Sequence, residues 1–154
     1  MSYILRREQW IERPIDEVFA FFSDAHNLER ITPPFLNFKI LSVSTPSIKE
    51  GTLIRYRLGL HGIPVNWLTE ICAWNPPYRF VDDQLSGPYK RWHHTHTFAA
   101  HGNRTKMTDE VQYEMVFGIL GRMAHAVLVH RDVKRIFDYR YQQIEKIFGK
   151  QQGS

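Results

Sequence analysis

The residues that could do chemistry gather between Tyr89 and Met115, where side-chain types alternate with a period of two. A strand from Tyr89 to Phe98 places Trp92, His94, His96 and Phe98 on one face, and Arg91, His93, Thr95 and Thr97 on the other. In the following segment Met107, Asp109, Val111, Tyr113 and Met115 share a face more apolar than the Lys106, Thr108, Glu110, Gln112, Glu114 row. A hairpin turning near His101-Gly102-Asn103 pairs the two apolar rows. It thereby gathers His94, His96, Asp109 and Tyr113 in a mostly apolar chamber, where each polar group needs a hydrogen-bond partner.

Three uses of such a cluster are open. The histidines and Asp109 can satisfy one another and stiffen the sheet. They can anchor a carboxylate, hydroxyl or ketone on an otherwise apolar ligand. Or a histidine that titrates near neutral pH can exchange a proton while Asp109 orients it and Tyr113 polarises a carbonyl, with His94, Asp109 and Tyr113 as the catalytic set. Trp67, Phe80, Trp92, Phe98 and Met123 are expected to line the same cavity beside His94, His96 and Tyr113.

His94-x-His96 can supply two ligands of a zinc site, but the sequence offers only Asp109 as a third, and no metal is expected. Cys72, the single cysteine, carries no mark of activation and reads as a buried structural thiol. Neither a dinucleotide-type nor a Walker-type glycine loop is present, so no cofactor is implied.

The elements that must position these residues follow from periodicity. Residues 3–12 read as a strand. Pro14 opens a short helix whose Ile15, Val18, Phe19 and Phe22 share one face. A second short helical piece, His26 to Ile31, stops at Thr32-Pro33-Pro34. From Leu36 to Met115, apolar segments are separated by Lys49-Glu50-Gly51, His61-Gly62, Asn75-Pro76-Pro77, Ser86-Gly87-Pro88 and His101-Gly102-Asn103, the punctuation of an antiparallel meander. The segment holding Trp67 and Trp74 needs a bulge if both are buried, because their spacing puts them on opposite faces. Leu58 to Pro64, around His61, is either a pocket gate or a tight hairpin. After Phe117-Gly118, apolar residues from Leu120 to Phe148 predict an amphipathic helix of about eight turns. The expected α+β architecture is a curved antiparallel sheet of about seven strands with two short helices, its apolar face covered by the long C-terminal helix.

At 154 residues the chain fits one domain, taken as residues 1–150 with a flexible tail at 151–154. A 43% hydrophobic composition supports one core. No apolar run reaches the ~20 residues needed to cross a bilayer, and MSYILRREQW lacks an apolar signal region. A cytoplasmic protein, monomer or homodimer, is expected, and Asn103-Arg104-Thr105 is then an idle sequon. The net charge of +4 is spread along the chain, which argues against nucleic acid as a partner. Lys134, Arg135, Arg140, Lys146 and Lys150 read either as a basic stripe or as a solvated helix face.

Several segments together resemble the SRPBCC superfamily of START-like, birch-pollen-allergen-like and polyketide cyclase/dehydrase proteins. The resemblance rests on Pro14-x-x-x-Val18-Phe19, Leu28-x-x-Ile31-Thr32-Pro33-Pro34, Trp74-x-Pro76-Pro77-x-x-Phe80-x-Asp82, Gly87-Pro88-Tyr89-x-x-Trp92-x-His94-x-His96-x-Phe98 and Asp109-x-Val111-x-Tyr113. It covers nearly the whole chain and implies a helix-grip fold around a cavity. A fold does not fix a reaction. The expected function is binding of a small, largely apolar molecule, lipid-, polyketide- or aromatic-like. A cyclase or dehydrase using the His/Asp/Tyr cluster is the alternative, and a protein-partner module is the third.

Overall fold

Each strand of this chain has a more apolar and a more polar row, so a sheet can bury one face while neighbouring strands satisfy the backbone. The computed structural model describes residues 2–116, 118, 120, 123 and 129–149. Strand β1 (Ser2–Ile11) leads into helix α1 (Ile15–Phe22), and 3-10 turns follow at Ala25–Ile31 and Pro34–Leu36. Strands β2 (Lys39–Val43), β3 (Leu53–Leu60), β4 (Ile63–Asn75), β5 (Arg79–Ser86), β6 (Arg91–His101) and β7 (Arg104–Glu114) come next, and helix α2 (His130–Phe148) follows. The curved, wholly antiparallel sheet has the order β1-β7-β6-β5-β4-β3-β2, a meander from β2 to β7 with β1 added beside β7. Among the described residues no helix is long and apolar enough to cross a membrane.

All five expected turns fall between strands or directly before one. At the β3–β4 turn His61 and Gly62 both have positive φ, 51° and 81°, the backbone that a two-residue hairpin requires. The bulge expected in β4 lies between Ile71 and Ala73, where the register with β5 shifts. It returns Trp74 to the inner face, against Phe19 and Phe80. The bulged Cys72 is half-buried, not the fully buried thiol expected from sequence.

In α1, Asp16 and Glu17 favour the helix N-terminus while Val18, Phe19 and Phe22 face the core. α2 buries Val133, Phe137, Arg140, Ile144 and Phe148, a stripe at helical spacing. Val133 and Phe137 pack with Val111 and Tyr113 near one end of the sheet. Ile144 and Phe148 pack with Ile11, Phe98, Met107 and α1 at the other. Of the long helix expected from Leu120 to Phe148, residues 121, 122 and 124–128 lie outside the described residues, as do residue 150 and the tail at 151–154.

Ile144 is nearly inaccessible where α1, α2 and the sheet meet. Replacing it with alanine is expected to remove about 2–5 kcal/mol of unfolding free energy, measured by urea titration. A loss below about 1 kcal/mol would mean that the end of α2 is not seated on the sheet.

Candidate functional site

Between the sheet and α2 lies a cavity of about 160 Å³. Most of its wall is apolar, including Leu36, Ile54, Leu58, Trp67, Phe80 and Trp92, while Asp82, His94, His96 and Arg140 form a polar end. Strand register builds that end. Asp82 on β5 stands opposite His94 on β6, and His96 stands opposite Asp109 on β7. Arg140 reaches the same point from the apolar stripe of α2.

Asp109 is the common acceptor. Its Oδ1 lies 2.9 Å from His94 Nε2, 3.0 Å from His96 Nδ1 and 3.3 Å from Arg140 Nη2, and its Oδ2 accepts from Arg140 Nε at 3.2 Å. The other ring nitrogen of His96, Nε2, lies 2.7 Å from Asp82 Oδ2. Both nitrogens of His96 therefore face carboxylate oxygens, as an imidazolium donating two hydrogen bonds does. His94 donates from Nε2 and keeps Nδ1 as a lone pair, 3.9 Å from Asp82 Oδ2.

These contacts split the two histidines. Burial pushes both pKa values down, but hydrogen bonds to Asp109 and Asp82 outweigh burial for His96 and raise it above its ordinary 6.5. For His94, burial and the neighbouring His96 win over the bond to Asp109 and lower it. Burial alone would raise Asp109, yet the Arg140 charge and the two histidine bonds hold its carboxyl well below the usual range. With His96 protonated, the two carboxylates are balanced by one guanidinium and one imidazolium. The His96 ring lies between Phe80, stacked at 4.0 Å, and His94, stacked at 3.6 Å, a setting that suits a delocalised cation.

Asp82, His94 and His96 each offer a ligand atom within 4.8 Å of the others. An ion held by two imidazoles lies about 2.0–2.1 Å from each nitrogen along its in-plane lone pair. Rings stacked at 3.6 Å and tilted by only 30° cannot both aim at one such point without turning, so this geometry suits protons better than a metal.

Of the residues expected at the cavity, Trp67, Phe80, Trp92, His94 and His96 line it, and Asp109 stands directly behind them. Three do not line it. Phe98 is sealed in the core against Phe19 and Phe22, where α1 closes on the sheet. Tyr113 packs among Tyr3, Tyr89 and Trp92 beneath α2, and burial and Tyr3 push its phenol up to about 12. Met123 is 61% exposed. Alternation assigns a face but not a place along the strand, and it is α1 and α2 that decide which inward residues meet space.

Two members escaped the sequence reading. Arg140, placed with the surface basic residues, is 6% exposed; Lys134, Arg135 and Lys146 are exposed, and Lys150 lies outside the described residues. Its signal was the spacing Val133, Phe137, Arg140, Ile144, which sets an arginine within an apolar stripe. Asp82 could have been found from Phe80-x-Asp82, which shares a strand face with a cavity aromatic. The Leu58–Pro64 segment is a tight hairpin, and its Leu58 and Leu60 line the cavity. His61 Nε2 ties its tip to Asp132 Oδ2 in the first turn of α2, at 2.6 Å.

Opposite shifts give opposite pH signs. The stabilisation carried by His96 is whole below 6.5 and is lost as pH rises through its raised folded value. That carried by His94 is whole above 6.5 and is lost as pH falls through its lowered folded value. Proton NMR of the ring signals is expected to show His96 still charged at a pH where free histidine is neutral, and His94 still neutral where free histidine is charged. Two curves centred together near 6.5 would show that the cluster does not form.

Residues 11–148 match the family described as polyketide cyclase / dehydrase and lipid transport. Among solved structures the chain is similar to TTHA0849 of Thermus thermophilus, at 22% identity and a TM-score of 0.70, over 95% of this chain and 97% of that one. It is similar to a START superfamily protein of Mycobacterium smegmatis, at 11% identity and TM-score 0.69, over 94% and 98%. It is also similar to the major latex-like protein 151 of Panax ginseng, at 15% identity and TM-score 0.71, over 97% and 99%. At such identities the likeness is one of fold. No curated protein matches. Because the family match runs from the last residue of β1 to the last of α2, taking in the cavity and its polar end, this chain belongs to the polyketide cyclase/dehydrase and lipid transport family of the SRPBCC superfamily.

Proposed function

We propose that the protein binds one small, mostly apolar molecule about the size of a single ring, bearing an oxygen function that seats at the polar end of the cavity. The observation that carries this reading is a mostly apolar chamber with its polar groups at one end and, in its apolar wall, a buried hydrogen-bond donor that lacks an acceptor. Trp67 lines the chamber, and its indole Nε1 is buried without a hydrogen-bond partner among the described residues. Buried donors rarely go unpaired, so a ligand carbonyl, hydroxyl or carboxylate is its natural acceptor. Size narrows the choice within the lipid-, polyketide- or aromatic-like range. A volume of about 160 Å³ is close to the roughly 150 Å³ that admits benzene in an engineered core. A two-chain lipid does not fit it.

Titration calorimetry with toluene, phenol, acetophenone and benzoate tests this. The oxygenated rings are expected to bind more tightly than toluene. Trp67→Phe keeps the bulk and removes the donor, and should weaken the oxygenated ligands roughly 3–10-fold while leaving toluene nearly unchanged. Absence of binding across the series would overturn the reading.

The opposite pKa shifts of His94 and His96 also support catalysis, since an acid and a base held side by side by their surroundings are what proton transfer at a carbonyl compound requires. Neutral His94 would take a proton from the carbon beside a carbonyl, and the cationic pair His96 and Arg140 would stabilise the oxygen that gains charge. Tyr113, away from the cavity, has no part. Exchange of the methyl protons of acetophenone for deuterium, followed by NMR, is expected to proceed in the native protein and to stop with His94→Gln. Exchange at the same rate in the variant would leave binding alone as the function.

A further inference from the structure

The outer face of the sheet carries a second cluster, back to back with the polar end of the cavity. Inner and outer residues alternate, so Asp83 follows Asp82 and His93 precedes His94 on the opposite face. The β4 bulge adds Cys72 to them, because it turns Trp74 inward and leaves the residue after buried Ile71 pointing out. Three adjacent strands thus present a thiol, a carboxylate and an imidazole. Their ligand atoms all lie within 4.8 Å of one another, with His93 Nδ1 2.7 Å from Asp83 Oδ1.

We infer that Cys72, Asp83 and His93 bind a single zinc-class divalent ion on the outer face of the sheet. Tetrahedral zinc, with Zn–S near 2.3 Å and Zn–N or Zn–O near 2.0–2.2 Å, spaces its donor atoms by about 3.3–3.6 Å. Side-chain rotation has to open the 2.7 Å contact of His93 with Asp83 and bring the donors, now within 4.8 Å of one another, to that spacing, while the ladder between β4, β5 and β6 holds their backbones in place. In contrast to the inner pair of stacked imidazoles, only one ring has to aim at the ion. A sulfur, nitrogen and oxygen set suits zinc better than magnesium or calcium, which prefer all-oxygen sites. Local charge agrees. Glu70 stands opposite Asp83 in the register, and among the described residues neither carboxylate is ion-paired with a lysine or arginine. The ion takes the place of the thiol proton, which leaves to solvent, and of the hydrogen bond between His93 and Asp83. With side chains of Asp83 and His93 that are 39% and 27% exposed, the site opens to solvent and leaves a fourth position for water.

Cobalt(II) is the direct probe. Because Cys72 is the sole cysteine, near-ultraviolet thiolate-to-cobalt charge transfer in the reduced, full-length chain reports this site and no other. The band is expected to saturate at one ion per chain and to be displaced by zinc. It should vanish in Cys72→Ser, and the affinity should fall at least about tenfold in His93→Gln and in Asp83→Asn. Cobalt bound without a charge-transfer band, as at Asp82, His94 and His96, would overturn the inference. So would a band whose titration is unchanged in His93→Gln and Asp83→Asn, since the thiol would then be acting alone.

Discussion

A buried carboxylate is the constraint around which the rest of this molecule is arranged. Asp109 is nearly inaccessible, and taking its charge out of water costs several kcal/mol unless donors replace the lost hydration. It obtains them from three side chains on two elements, His94 and His96 of β6 and Arg140 of α2. Asp82 adds a second negative charge on β5, and the raised pKa of His96 favours the proton that answers it. The arrangement closes only if β5, β6 and β7 keep their register and α2 sits at one rotation. A one-residue slip of β7 would turn Asp109 outward and leave Arg140 and His94 without their acceptor. The charge cluster thus makes the sheet and helix specific for each other, while the surrounding apolar contacts supply the bulk of the stabilisation.

That dependence explains what could be read in advance. Within a strand, burial repeats every second residue and turns carry glycine, proline or asparagine, so the seven strands, their turns and the pairing of His94 with Asp109 follow from local rules. The β4 bulge was legible because two tryptophans at odd spacing both needed burial. Arg140 was not read, because a charge on a helix is ordinarily solvated and only the stripe of Val133, Phe137 and Ile144 shows that this one is not. Phe98 and Tyr113 were assigned to the correct face and the wrong depth. Depth is set where α1 and α2 meet the sheet, between residues far apart in sequence, and no period within one strand encodes it.

The same packing sets the size of the cavity. Aromatic side chains fill both ends of the concave face, Phe19, Phe22 and Phe98 at one and Tyr3, Tyr89 and Tyr113 at the other. What remains is a cavity of about 160 Å³, so a fold that fixes no ligand by itself would here select by volume among the small molecules proposed above. Specificity in such a chamber comes from its few polar groups, because an added or missing methylene discriminates by only about 1–3 kcal/mol, whereas an unmatched buried donor or acceptor rejects a ligand more strongly.

The polar end is suited to that role because it is not symmetrical. Had both histidines been neutral, the two carboxylates would exceed Arg140 by one charge, and had both been protonated, the balance would tip the other way. One proton is therefore held, and the geometry says where: His96 has a carboxylate at each nitrogen, while His94 has Asp109 at one and a more distant Asp82 at the other. A ligand oxygen at this end of the cavity would meet Arg140 and His96, whose pKa is raised, beside the edge of His94, whose pKa is lowered. Donor and acceptor character would thus be set before a ligand binds, and that preorganisation is what the proposed binding and the proposed proton transfer have in common.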